Sequence, residues 1–364
     1  MDKKSILIFS DEYPPAGGGS GVIAKRLVDD VRSLGHNVTL LTGDECPDEP
    51  DITHVRVHRT TLIWVFSYYK IITKLNLQSY DLIIINDQVS AYIAGRFFDQ
   101  STLKKCKVLI HGRDSNFFFN RKSLKHNIFQ YEKYYAKLLV QSQKIIAVSR
   151  YTLNEYLLHI PEKYKNLINE KLSWHYAGIN CDEVCGGVDP FTELYATTKD
   201  NTVLLSVGRI VPSKGYMQML LLLSELIGKQ PNYKWVIVGD GEYRSELEQK
   251  AIELNISEHI IYTGKVARTS LEHIYKYADC FWLLSIEAFG LVYLEAASFN
   301  LPSIAVPFGG ATEAVVVGEN GYHYDENSDL LALLQQCEQL REKRKPEEFS
   351  KQFSTLRFAT YLCH

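Results

Sequence analysis

The sequence predicts an α/β protein of two domains, each a parallel sheet flanked by helices, on three observations. Short, wholly apolar runs alternate with helix-length amphipathic stretches, which is the rhythm of strand-helix-strand units. That rhythm weakens from Gly178 to Asn201, GINCDEVCGGVDPFTELYATTKDN, and then starts again. The 364 residues also exceed what one ordinary core accommodates. The expected division is a first domain over residues 1–177, a linker over 178–200, a second domain over 201–345 and a terminal segment over 346–364.

Ile6 to Phe9 reads as the first strand. The loop SDEYPPAGGGSG follows, then a helical pattern from about Val22 to Leu34 ended by Gly35, and a second strand from Asn37 to Leu41. Gly19, Gly21 and Ala24 fit G-x-G-x-x-A, with Asp44 about twenty residues on, a pattern shared with dinucleotide sites. The glycines begin several residues after the strand rather than on it. The loop therefore reads either as a plain flexible turn or as backbone that approaches a phosphate or a sugar.

Leu82 to Ile85, Val108 to Ile110 and Ile145 to Val148 read as further buried strands. His111-Gly112-Arg113-Asp114 lies at the carboxyl end of one of them, where open α/β sheets bind ligands, and this makes His111 a candidate ligand-facing residue. A lone loop histidine serves structure equally well. Phe117 to Lys137 holds five Lys or Arg against one Glu, with seven aromatic residues, and Leu62 to Lys74 has a similar character. Two readings stay open: a surface resting on anionic lipid, or helices that cover a sheet and turn their charges outward.

Val203 to Val207 restarts the strand pattern, and Gly208, Arg209, Lys214 and Gly215 follow on the loop before a helix at Tyr216 to Leu226. An arginine and a lysine five apart at a strand end can close on a diphosphate, Arg as a fork and Lys as a point charge. Solvated loop charges are the plainer alternative. Trp235 to Val238 ends in Gly239-Asp240-Gly241, a tight turn that lets a ligand approach backbone closely. Ile260 to Thr263 with Gly264-Lys265 repeats the arrangement.

Cys280 to Leu284 reads as the next strand and runs into SIEAFGLVYLEAASF, helical from about Leu291; Ser303 to Val306 and Gly309-Gly310 come after it. Glu287 falls on the loop before that helix and Glu295 in its second turn, about 10 Å apart, with the first helical amides between them. A helix N-terminus attracts anions, and carboxylates accept hydrogen bonds from hydroxyls. The matching ligand has a diphosphate in the middle and hydroxyls at both ends, the layout of a nucleotide sugar. Two solvated helix glutamates share the same spacing.

Composition narrows the field. A net charge of -3 gives no electrostatic reason for a nucleic-acid partner. The seven cysteines form no disulfide or metal framework; Cys181 and Cys185 with His175 make at most half a zinc site, and reduced thiols are the plainer account. The start, MDKKSILIFS, has too short an apolar run for a signal peptide, and no stretch reaches the length of a membrane span. A cytoplasmic protein is expected.

The second half resembles the donor-binding domain of family 4 retaining glycosyltransferases, which have the GT-B fold. VGRIVPSKG, VGDG, YTGKV, EAFGLVYLE and FGGATEAVVVGENGY carry the resemblance, in that order from Val207 to Tyr322. PPAGGGSG, LIHGRD and IIAVSRYT extend it more loosely over the first half. The resemblance implies two Rossmann-like domains facing each other across a cleft, the first for the acceptor and the second for the nucleotide sugar. The terminal segment would pack back on the first domain.

It also implies transfer of a hexosyl unit, with retention, from a UDP- or GDP-linked sugar to an acceptor hydroxyl, without a metal or other cofactor. In that scheme Arg209 and Lys214 match the pair that neutralises the donor diphosphate. Glu287 would contact donor-sugar hydroxyls, Glu295 would hold the ribose, and the amides of Phe289, Gly290 and Leu291 would meet sugar and phosphate. Lys265 and Val266 would lie beside the nucleobase and His111 near the donor sugar. Gly18 and Gly19, within Gly17 to Gly21, would face the donor phosphate and the acceptor; Gly239 and Gly241 complete the donor-binding set. Leu284 stands where proline is frequent, and AGIN at Ala177 to Asn180 where NG-[VI]-D is common, departures that bear on loop geometry.

The partners so implied are the nucleotide sugar and a saccharide or lipid-linked saccharide of bacterial surface polysaccharide (O-antigen, capsule or lipopolysaccharide); the aromatic and basic stretches add anionic lipid at the inner face of the cytoplasmic membrane as a further expected contact. Two other classes compete. An NAD(P)-dependent oxidoreductase with two nucleotide-binding domains uses Gly19, Gly21, Ala24 and Asp44 but leaves Arg209, Lys214, Glu287 and Glu295 without a role. A non-catalytic partner subunit that keeps the fold has no need of the intact charged set.

Overall fold

The computed structural model describes residues 2–14, 18–43, 46, 48–49, 52–57, 64–112, 114–179, 198–343 and 353–364. Expectations that rest on Gly17, Asp44, Arg113, Cys181 and Cys185, on residues 180–197 and on residues 344–352 fall outside these residues. The chain forms two compact units, one of Met1–Asn180 with Ser354–His364, the other of Cys181–Phe353.

The first unit is built on seven parallel strands: β1 (Ser5–Phe9), β2 (Asn37–Gly43), β3 (Ile52–Val57), β4 (Leu82–Ile85), β5 (Cys106–Ile110), β6 (Lys144–Ala147) and β7 (Leu172–Trp174). Their order across the sheet is β3-β2-β1-β4-β5-β6-β7, so the winding reverses between β1 and β4. The central strands are continuous apolar runs because helices cover both faces. β3 and β7 were not expected. ITHVRV interleaves polar residues, and LSW is only three residues long.

The helix after β1 runs Gly19–Ser33, with Gly18 as its N-cap, and so begins earlier than the apolar pattern indicated. Gly21 and Ala24 are buried within it. Both are packing residues inside that helix. The helix Thr355–Cys363 packs on Gly19–Ser33 and belongs to this same unit. It is fastened by Thr355 N–H to the Ile179 carbonyl (3.1 Å), by Lys107 Nζ to the Leu362 carbonyl (2.7 Å), and by Tyr361 stacked on His175 at 4.9 Å.

The aromatic residues of Phe117 to Lys137 turn inward. Phe118 stacks on Tyr135 with ring centroids 3.9 Å apart, and Phe117, Phe119, Phe129, Tyr131 and Tyr134 pack against the same core. The expectation of aromatics lying along a lipid surface is corrected to that extent. Leu124 and Ile128 are what this stretch leaves exposed, beside Arg121, Lys122 and Lys125.

The second unit has six parallel strands: β8 (Thr202–Val207), β9 (Tyr233–Val238), β10 (Ile260–Gly264), β11 (Cys280–Leu283), β12 (Ser303–Ala305) and β13 (Gly321–His323). The order is β10-β9-β8-β11-β12-β13, with its reversal between β8 and β11. Trp235 and Trp282 meet edge to face at 5.3 Å in the core, and Tyr216 stacks on Trp235. Cys106, Cys280, Cys337 and Cys363 carry free, buried thiols, and Cys46 is buried as well. Among the described residues no helix is long and apolar enough to cross a membrane.

Candidate active site

In the second unit the loops after β8 and β11 leave the sheet at the reversal of strand order, the position where open α/β sheets bind ligands. The β8 loop carries Arg209 and Lys214 and closes at Gly215, which takes a positive φ of 74°. A side chain there would sit 2.1 Å from the Leu284 carbonyl oxygen, so only glycine lets the two loops touch. That contact brings Lys214 Nζ within 2.5 Å of Glu287 Oε1. Arg209 is exposed at the mouth of the same loop.

Glu287 is bound asymmetrically. Oε1 accepts from both Lys214 and the Ser285 hydroxyl, while Oε2 has no hydrogen-bond partner among the described residues. The loop itself is pinned by Gly310 N–H donating to the Glu287 carbonyl at 2.7 Å. Three residues later the chain turns into the helix Leu291–Ser298 through Gly290, at φ 97°, and no side chain among the described residues caps that start. The Phe289 ring is buried against Phe353.

Glu295, buried in the second turn, is held differently. Arg268 reaches Oε1 at 3.0 Å and the Tyr275 hydroxyl donates to Oε2 at 3.2 Å. Arg268 opens the helix Arg268–Tyr277 just after Lys265, which is exposed, and Val266, which is partly buried. Gly239 and Gly241 are close-packing positions. A side chain at either would strike the carbonyl oxygen of Gly208 or Ile210, so these turns are held against the β8 loop.

The first unit gathers its own polar cluster at the reversal between β1 and β4. Glu12 Oε2 accepts from Gly18 N–H at 3.0 Å and from the Ser20 hydroxyl at 2.5 Å, so a carboxylate already sits at the glycine-rich helix start, and Gly19 beside it is exposed. Asn86, fully buried at the end of β4, donates from Nδ2 to Ser10 Oγ (2.8 Å) and to the Ser20 carbonyl (2.9 Å). His111 Nε2 lies 3.1 Å from Asn86 Oδ1. Asp114 Oδ2 holds the loop by accepting from His111 N–H and Gly112 N–H. Burial pushes the His111 imidazole below its usual range, against the pull of Asp114, and pushes the Asp114 and Asp87 carboxyls upward.

Several of these partners had no motif to announce them. Arg268 and Tyr275 meet Glu295 across 27 and 20 residues of sequence, and Glu12 sat unremarked in the glycine loop. Asn86 was open to discovery by the rule that singled out His111, since it is the polar residue directly after a buried strand. Among the described residues no three His, Cys, Asp or Glu side chains are grouped to hold a metal ion.

Two family models match almost end to end: Glycosyltransferase Family 4 over residues 17–181 and Glycosyl transferases group 1 over residues 193–353. The chain is a glycosyltransferase of this family. Over 350 residues this glycosyltransferase is 25% identical to an uncharacterized glycosyltransferase of Methanocaldococcus jannaschii, covering 90% of this chain and 87% of that one. Over 130 residues it is 33% identical to the GDP-mannose-dependent alpha-(1-6)-phosphatidylinositol monomannoside mannosyltransferase of Mycolicibacterium smegmatis, a match over 34% of each. In fold it is similar to HepE of Anabaena, solved in complex with UDP-glucose, with a TM-score of 0.75 at 18% identity over 99% of this chain and 98% of that one. The two parallel-sheet units are those of the GT-B fold.

Proposed function

We propose that this glycosyltransferase moves a hexosyl unit, with retention at the anomeric carbon, from a UDP- or GDP-linked sugar to the hydroxyl of a lipid-linked saccharide in surface-polysaccharide assembly. The observation that supports it best is the pairing of Lys214 with Glu287 at the β8–β11 reversal, with one carboxylate oxygen left open. Lysine has three N–H donors, so Lys214 can keep Glu287 in place and still donate to a phosphate. The open Oε2 then accepts a sugar hydroxyl.

As the glycosidic C–O bond breaks, negative charge grows on the leaving diphosphate. Arg209, Lys214 and the uncapped helix start at Gly290 and Leu291 are the groups we assign to stabilise it, and such preorganised contacts are each worth a few kcal/mol of barrier. Glu295 takes the ribose hydroxyls and Lys265 with Val266 borders the nucleobase. Glu287 is a hydroxyl binder in this scheme, not a nucleophile. Gly18, Gly19 and His111 are assigned to the sugar-handling side of the first unit. An NAD(P) dinucleotide at Gly18 is disfavoured, because its pyrophosphate would meet the Glu12 carboxylate.

For the acceptor, a lipid-linked molecule is favoured by the mycobacterial relative, whose name specifies a phosphatidylinositol monomannoside. Leu124 and Ile128, exposed amid Arg121, Lys122 and Lys125, offer an apolar and basic contact for anionic lipid at the inner face of the cytoplasmic membrane. A thermal-shift screen of UDP, GDP, their hexose conjugates and NADH tests the donor, since a ligand of the native state raises the melting point. A shift with NADH alone would refute it. The anomeric configuration of the product, read by NMR, tests retention.

A further inference from the structure

We propose that Asn86 is a positioning residue: it fixes His111 in the tautomer with hydrogen on Nε2, leaving the Nδ1 lone pair to accept a hydrogen bond from a sugar hydroxyl. This rests on the sugar-handling role assigned to His111 above, and goes beyond it in naming the atom, the tautomer and the residue that sets both.

The geometry settles the amide first. The Ser20 carbonyl can only accept, and it lies 2.9 Å from one end of the Asn86 side chain, so that end is the NH2. Ser10 agrees: its hydroxyl donates to the Glu12 carbonyl at 2.6 Å and accepts from Asn86 Nδ2 at 2.8 Å. The other end, Oδ1, therefore faces His111. Oδ1 is an acceptor only, and Nε2 at 3.1 Å must carry the hydrogen. A neutral ring with hydrogen on Nε2 has its lone pair on Nδ1.

Flipping the amide would set carbonyl against carbonyl at Ser20, and the Asn86 side chain is fully buried, so no water relieves that clash. The charged groups that bear on the ring are Asp114, Asp87 and Glu12, all of which favour imidazolium; burial opposes them and prevails. The hydrogen bond to Asn86 pulls the same way, but the amide brings no charge of its own. An aspartate in its place would add one.

The test uses the full chain labelled with 15N. Two-bond 1H–15N spectra of the imidazoles, with His111→Gln to assign the signal, should show Nε2 protonated and Nδ1 unprotonated at pH 7.5. A ring protonated on Nδ1 would overturn the proposal. Asn86→Asp should favour imidazolium and move the acidic limb of kcat/KM upward by about one pH unit or more; an unmoved limb would also overturn it. If Asn86→Asp does not fold, Asn86→Ala serves, with a mixture of tautomers expected in the spectrum and an unchanged single tautomer refuting the assignment. Wild-type turnover in His111→Gln would overturn the proposal through the sugar-handling role instead, a failure the spectrum tells apart from failure of the Asn86 network.

Discussion

Lys214→Ala probes the site at its firmest contact. Nζ lies 2.5 Å from Glu287 Oε1, and the two side chains are only 23% and 15% exposed. At an effective dielectric constant of about 20, unit charges about 4 Å apart attract by roughly 4 kcal/mol, much of it offset by the cost of desolvating both ions. The expected loss of folding stability is about 1–2 kcal/mol, between an exposed pair and a fully buried one. The loss in catalysis should be larger. A preorganised cation on the leaving diphosphate is worth about 3 kcal/mol in the transition state, or roughly a hundredfold in kcat/KM. Release of nucleoside diphosphate from the donor found in the thermal-shift screen gives kcat and KM, and urea unfolding gives stability. A variant within about threefold of wild-type kcat/KM, yet destabilised as calculated, would show that Lys214 serves the loop and not the diphosphate.

Four further outcomes are expected. Tyr216→Phe removes a buried hydroxyl that has no hydrogen-bond partner among the described residues and should leave stability equal or raise it by about 1 kcal/mol in urea unfolding; a loss of that size would contradict the geometry. Arg268→Ala takes the cation from Glu295 and should raise the donor KM about tenfold with kcat largely kept, with Arg268→Lys recovering part of it; an unchanged KM would remove Glu295 from the donor site. Burial lowers Lys107 to about 8, while the unfolded chain holds that proton to about pH 10.4, so stability from this group rises as pH goes from 7.5 to 9.5 by about 2 kcal/mol. Lys107→Met should lose that slope; an equal slope in both proteins would place Lys107 in a wetter environment. Binding to anionic vesicles should fall with salt and weaken about tenfold in Leu124→Ser with Ile128→Ser, and no binding at low salt would exclude lipid contact there.

Buried strands such as LIII, TVLLSV and CFWL were legible because a parallel sheet covered on both faces demands unbroken apolar runs. The edge strands ITHVRV, LSW and GYH were not, since partial exposure mixes their pattern and their shortness hides it. The helix Gly19–Ser33 began before its apolar face did, because glycine and serine carry no periodic signal. Of the aromatic residues in Phe117 to Lys137, sequence recorded the presence and not the direction. Packing against Tyr92 and Trp64 turns Tyr131 and Phe129 inward.

By itself the sequence determined the two-sheet α/β architecture, and it put Arg209, Lys214, Glu287 and Glu295 at or near strand and helix ends, where we assign the binding of an anion and of hydroxyls. Those are local properties, carried by periodicity, glycine placement and charge within a few residues. Only the tertiary structure decided which groups meet. Gly215 lies against Leu284 and joins Lys214 to Glu287 across 73 residues, and Arg268 closes on Glu295. Asn86 points its carbonyl at His111 because Ser10 and Ser20 occupy its other end. Pairings of this kind arise from the order in which strands join a sheet, and no stretch of chain contains that order.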